Sequence, residues 1–122
     1  MEVTTHIMVT AQNNEEIFLF GKGEERRDHI HVDNVADIVS TVAIKKIDGI
    51  INAVSGNVIS FNEIAKNLKK IYPNLVIKNL KRNGPMPHNG YRAFDNKLLK
   101  KYFPKLYLIK LSDWIKNKDE FN

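Results

Sequence analysis

Phe20-Gly21-Lys22-Gly23-Glu24-Glu25-Arg26-Arg27-Asp28-His29-Ile30-His31-Val32-Asp33-Asn34-Val35-Ala36-Asp37 is the stretch on which the reading of this chain turns. The apolar run Ile17-Phe18-Leu19-Phe20 enters it as a strand, and Gly21-Lys22-Gly23 stops that strand in a turn. A polar loop, Glu24 to Asp28, leads to His29-Ile30-His31-Val32, which reads as a second strand. Its two histidines, two residues apart, then share one face. Asp33 is placed to cap a helix whose Val35, Ala36, Ile38, Val39, Val42 and Ala43 form a broad apolar face.

Met1 to Asn14 reads as a helix without a cap, with Ile7 and Met8 turned inward. Downstream, Ile50-Ile51-Asn52-Ala53-Val54 reads as a strand ended by Ser55-Gly56-Asn57. Ser60 and Glu63 then make a capping box, with Ile59 and Ile64 as its hydrophobic staple. That helix runs through Ile71-Tyr72 and stops at Pro73, whose ring cannot continue it. Leu75 to Leu80 alternates as a strand, and Lys81 to Tyr91 is a loop rich in Gly and Pro. Asp95 is expected to cap Asn96 to Phe103, stapled by Phe94 and Leu99, and Ser112 to cap a last helix containing Trp114 and Ile115. The order gives an α/β domain, a small mixed sheet with flanking helices. No repeat or linker divides the 122 residues, so residues 1–122 read as one domain.

Composition narrows the chemistry. The chain has no cysteine, which removes disulfides, thiolate metal ligands and thiol nucleophiles. No apolar run reaches the roughly 18 residues that span a bilayer, and the first residues do not resemble a secretory signal. A cytoplasmic location is expected. The net charge of +5 is divided unevenly. Residues 1–61 carry 5 − 9 = −4 and residues 62–122 carry 14 − 5 = +9. The basic half suits an anionic partner without choosing among nucleic acid, membrane and a phosphorylated small molecule.

Each candidate motif also has a plainer reading. Gly21-x-Gly23 follows a strand as a phosphate loop does, but it lacks a third glycine and opens into Glu24-Glu25, so a tight turn fits better. His29, His31 and Asp33 lack a further metal ligand, and half-buried strand histidines account for the pair. Ser55-Gly56 is half of a nucleophile elbow, with Ala53 where a glycine is needed. Arg26-Arg27-Asp28 either holds a guanidinium ready for a phosphate or forms a surface ion pair. Arg82 and Arg92 are similar single candidates. Lys66, Lys69 and Lys70 fall on the polar face of their helix, and the tyrosines among the later lysines form no stacking platform.

Residues 20–37 taken together resemble a signature of the extended short-chain dehydrogenase/reductase family, the NAD-dependent nucleotide-sugar epimerases and dehydratases. The family pattern is roughly Phe-Gly-x-Gly-x-x-x-Arg-Asp-Phe/Tyr-x-His-Val-x-Asp-Val-Ala. Ile51 to Gly56 with Ile59 to Ala65, and the stretch from Arg82 to Leu98, are similar to later segments of the same family. Asn34 stands where the family often has an aspartate. The resemblance implies the C-terminal substrate-binding portion of such an enzyme, without its Rossmann domain. It implies that Phe18 and Phe20 line the base site and that Arg27 and Arg82 clamp the diphosphate of a nucleotide sugar. The family's cofactor loop, Gly-x-x-Gly-x-x-Gly, and its Tyr-x-x-x-Lys pair are not in this sequence. Tyr72, Tyr91, Tyr102 and Tyr107 are followed four positions on by Val76, Asp95, Leu106 and Leu111. The expectation is therefore a piece of a longer chain that is not catalytic alone. It has no cofactor of its own, and NAD(P) belongs to the full-length enzyme. Its partners would be the nucleotide sugar, the missing Rossmann portion and, as a homodimer, a second copy. No membrane or nucleic acid is expected. The alternative is a standalone basic module for nucleic acid or protein interaction.

Overall fold

The structure, a computed structural model, describes Thr10, Ala11, Asn13 and residues 16–117. Thr10 and Ala11 are helical and buried; the rest of the helix expected over 1–14 lies outside the described residues. Strand β1 (Glu16–Phe20) alternates strictly, with Ile17 and Leu19 inward and Glu16, Phe18 and Phe20 outward. It pairs in parallel with β4 (Val76–Leu80), Glu16 opposite Val76 and Phe20 opposite Leu80. A second, mixed ladder has the order β3-β2-β5. In it β2 (Arg26–Asp28) runs antiparallel to β3 (Val58–Ser60) and parallel to β5 (Tyr91–Arg92). The α/β class with a small mixed sheet and flanking helices is borne out, its strands falling into two ladders.

Helix α1 spans Val32–Lys45, α2 Phe61–Ile71, α3 Lys97–Tyr102 and α4 Leu111–Asn117. The capping box before α2 is as expected. Ser60 Oγ accepts from Glu63 N at 3.1 Å and Glu63 Oε2 accepts from Ser60 N at 2.9 Å. The box fixes the rotation of α2, so that Ile64, Ala65 and Leu68 enter one core with Ile17, Leu19, Leu75 and Ile115. Burying the isoleucine and leucine side chains contributes roughly 1.5–3 kcal/mol each against leaving them in water.

The second expected strand is displaced. Residues 29–31 have no regular structure, and pairing instead takes Arg26–Asp28, because Arg27 lies opposite Ile59. The apolar pattern of 29–32 is used for packing: the His29 ring stands edge-on to Phe61 and the His31 ring lies 5.9 Å from Trp114. The cap of α1 is His31, whose Nδ1 accepts from Asp33 N at 3.2 Å, while Asp33 sits in the first turn facing the positive end of the helix. Residues 50–54 likewise have no regular structure, and the β2 edge is taken by Val58–Ser60. Asn96 rather than Asp95 begins α3, although Asp95 Oδ1 still accepts from Lys97 N at 2.7 Å. Phe94 is exposed and carries Arg92 on its ring. Ser112 lies inside α4, whose first free amides, Asp113 N and Trp114 N, donate to Lys110 O.

Asn34, the departure from the family pattern, is 3% exposed. Its Nδ2 donates to Tyr107 O at 2.8 Å and its Oδ1 accepts from Ile109 N at 2.9 Å. A side-chain amide is the group that donates and accepts at once, as this backbone pair demands, whereas an ionised aspartate only accepts. Asn34 thereby pins the segment that leads into α4.

Candidate functional site

The site is built where the end of β1, the turn after it and the end of β4 meet. Gly21 and Gly23, with φ of 60° and 66°, turn the chain out of β1 in a conformation that disfavours a Cβ. Gly21 N donates to Leu80 O at 2.8 Å, so the turn is tied to the end of β4, and Arg82 follows two residues later. The turn delivers Glu25 and Arg27 to the same place. Glu25 Oε2 accepts from Arg27 at 2.7 Å, and Glu25 Oε1 accepts from Arg82 Nη1. One carboxylate thus bridges two guanidinium groups that are 55 residues apart in sequence (82 − 27). All three side chains are mostly covered, at 19%, 12% and 20% exposure for Arg27, Glu25 and Arg82. Each ion pair here is therefore less screened than a surface pair.

The remaining donors are partly used. Arg27 Nη1 donates to Arg26 O at 3.0 Å and Arg82 Nη2 donates to Phe20 O at 3.3 Å. Arg82 Nε is buried and has no hydrogen-bond partner. These three side chains carry two positive charges against one negative, and the Glu24 carboxylate beside Gly21 also feels the Arg82 charge.

The structure thus brings Arg27 and Arg82 together, and Arg82 also holds the Phe20 backbone carbonyl. Phe18 and Phe20 project from the outward face of β1, 49% and 59% exposed, so their rings are open to a planar ligand. Arg92 lies beside Arg27 in the ladder, but its guanidinium sits 5.6 Å from the centre of the Phe94 ring rather than on Glu25. Arg26, on the other face of β2, reaches Glu63 at 3.3 Å and belongs to a different surface. That surface opens into a cleft of about 450 Å³, lined among others by Arg26, Glu63, Lys66 and Lys70, and none of the five candidate residues lines it.

Two acidic residues take roles that sequence reasoning did not assign: Glu25 bridges the arginines, and Asp28, expected to steady the Arg27 guanidinium, holds a neighbouring loop instead. Glu25, which in the sequence counts with Glu24 only against a phosphate loop, is the bridge; its spacing of two from Arg27 is the available signal. Asp28 holds the neighbouring loop: its Oδ1 accepts from Ser55 N and Ser55 Oγ, both at 2.8 Å, and its Oδ2 accepts from Gly56 N at 2.7 Å. Gly56, with φ of 73°, packs against the Asn96 side-chain amide so closely that a Cβ would overlap it. Among the described residues no three His, Cys, Asp or Glu side chains form a group that could hold a metal ion.

The turn at Gly21 and Gly23 does not fit a dinucleotide pyrophosphate. Lys22 N, which such a ligand would need, donates to Glu24 Oε2 at 2.7 Å. The Glu24 carboxylate fills the space beside Gly21, 2.9 Å from where a Cβ would stand. The backbone amides of Glu24 and Lys22 hold that carboxyl below its usual pKa, so it stays negative.

Comparison with known proteins bears on the family and the fold. The model of the NAD dependent epimerase/dehydratase family matches residues 1–55. The fold is similar to that of Pal from Bacillus thuringiensis, with a TM-score of 0.79 at 22% identity over 98% of this chain and 38% of that one. It is similar to the UDP-glucose 4-epimerase of Thermotoga maritima, solved with UDP-glucose, with a TM-score of 0.77 at 24% identity over 98% and 38% of the two chains. A third similar structure is the UDP-N-acetylglucosamine 4-epimerase of Methanobrevibacter ruminantium M1, in complex with UDP-N-acetylmuramic acid. Its TM-score is 0.72 at 19% identity, over 99% of this chain and 40% of that one. The chain thus spans roughly two-fifths of the length of these structures. No curated protein matches it significantly. The family resemblance carried by residues 20–37 and the fold it implied are borne out. No helix among the described residues is long and apolar enough to cross a membrane.

Proposed function

We propose that this chain is the nucleotide-sugar-binding portion of an NAD-dependent epimerase or dehydratase. The observation that carries the reading is the convergence of Arg27 and Arg82 on Glu25 at the end of β1, the strand whose outward positions are Phe18 and Phe20. Arginine forks give paired, charge-assisted donors that suit the oxygens of a diphosphate. Two exposed aromatic rings along one strand face suit a flat base. The match of residues 1–55 to the family and the likeness of fold to two UDP-sugar epimerases support the assignment.

In this reading Arg27 and Arg82 hold the diphosphate and Phe18 and Phe20 border the base. Arg92, stacked on Phe94, lines the rim. Hydride transfer through NAD(P) belongs to the remainder of the enzyme, and the chain's own residues bind and orient. The enzyme is read as cytoplasmic and as a homodimer.

Binding of UDP-glucose to the chain, followed by titration calorimetry, tests this. Removing one charge-assisted contact costs about 1.5–3 kcal/mol, so Arg27→Ala weakens binding roughly 10- to 100-fold. In the full-length enzyme the same change raises KM and leaves kcat nearly unaltered. Unchanged affinity in the Arg27 variant refutes the assignment.

A further inference from the structure

We propose that Glu25 is a built-in placeholder anion, which occupies the Arg27–Arg82 pair in the free chain and must release it when a nucleotide diphosphate binds. The inference rests on the reading of that pair as the diphosphate site. Charge arithmetic supports it. A nucleotide diphosphate sugar carries about one negative charge on each of its two phosphates, which balances the two arginines and leaves no counter-charge for Glu25. With the carboxylate in place, three negative groups would share two guanidinium groups at close range.

Donor geometry points the same way. The Nη groups that converge, one from Arg27 and one from Arg82, both end on Glu25, so a diphosphate cannot take them while the carboxylate stays. The other Nη groups are fixed to backbone carbonyls of Arg26 and Phe20. Arg82 Nε, buried without a partner, shows that the resting cluster is incompletely satisfied, the state in which a better acceptor gains most. Exchange is then a movement of the Glu25 side chain. The Glu25 backbone is anchored, since its carbonyl accepts from Phe61 N at 3.2 Å.

Glu25 therefore sets affinity by competition rather than by contact with the ligand. It also keeps the two arginines from repelling one another and from gathering stray anions while the site is empty.

The test is UDP binding to the chain at fixed pH and ionic strength, with wild type, Glu25→Gln and Arg27→Ala compared. Glutamine keeps the shape and removes the charge, and the Glu25→Gln variant is expected to bind UDP on the order of tenfold tighter. Equal or weaker binding by Glu25→Gln, with binding lost in Arg27→Ala, overturns the placeholder and leaves the diphosphate site standing. Wild-type affinity in Arg27→Ala removes the site itself. If wild type binds no UDP, the gain of binding in Glu25→Gln supports the inference and its absence overturns it. A second readout uses the wild-type chain alone. The carboxyl carbon resonance of Glu25 should move to the value of a solvated carboxylate on saturation with UDP, and a stationary resonance refutes the exchange.

Discussion

Replacing Asn34 by aspartate changes one atom type in a site that needs both a donor and an acceptor, and its cost can be worked from the two bonds. Asn34 Nδ2 donates to Tyr107 O at 2.8 Å, and Oδ1 accepts from Ile109 N at 2.9 Å, with the residue 3% exposed. An ionised aspartate at this position would keep the bond from Ile109 N but turn an oxygen toward the Tyr107 carbonyl at hydrogen-bond distance. The lost bond leaves a buried acceptor unpaired, and the charge itself is buried without a cation; together these cost about 2–4 kcal/mol. For a domain of this size each kcal/mol lowers Tm by roughly 3–6 °C. Calorimetry at pH 7 should therefore place Asn34→Asp roughly 6–24 °C below wild type. The loss must also depend on pH. Burial and the facing carbonyl raise the introduced carboxyl's folded pKa above its unfolded value of about 3.9. The penalty is then absent below the unfolded value, where the protonated group can donate to Tyr107 O, and grows as pH rises to the folded value. The difference from wild type should shrink by more than half between pH 7 and pH 4. A difference at pH 7 of less than about 2 °C, or one equal at both pH values, refutes the account of Asn34 as a paired buried amide.

Three further outcomes are expected. Ser60→Ala removes the cap of α2 and costs about 1 kcal/mol, lowering Tm by roughly 3–6 °C at pH 7. The backbone amide and hydroxyl of Ser60 depress the Glu63 pKa below its usual value of 4.5. The stability they give is present above that value and fades as pH falls through the depressed one, so the Ser60→Ala deficit narrows in acid melts. Asp28→Ala takes the shared acceptor from Ser55 and Gly56 and costs about 1–3 kcal/mol, with faster amide exchange at those two residues as its local signature. Gly56→Ala combines a left-handed backbone with overlap on Asn96 and costs about 1–3 kcal/mol in chemical denaturation; a neutral result removes the close packing of the 56 and 96 segments.

Local chemistry was legible in the sequence, and long-range pairing was not. Ser60 with Glu63, Pro73 after α2 and the Gly21–Gly23 turn depend on neighbours within four residues, and each stands where the sequence placed it. The strands expected over 29–32 and 50–54 moved to 26–28 and 58–60, because a strand is fixed by its partner, and apolar runs can pack as loops instead. Arg27 and Arg82 were both picked out one at a time. Their meeting depends on the β1–β4 register and on Glu25, whose dual contact no local pattern encodes. The resemblance supplied that pairing where periodicity could not.

The parallel register of β1 has a consequence for synthesis on the ribosome. Glu16 pairs with Val76, a separation of 76 − 16 = 60 residues, and β1 has no other ladder partner among the described residues. While the chain is being made, the edge of this alternating apolar strand that β4 takes stays open until β4 has emerged. Growth that pauses between residues 20 and 76 prolongs that exposure and invites edge-to-edge association of nascent chains. A slow stretch of translation would be tolerated far better after Leu80 than before it.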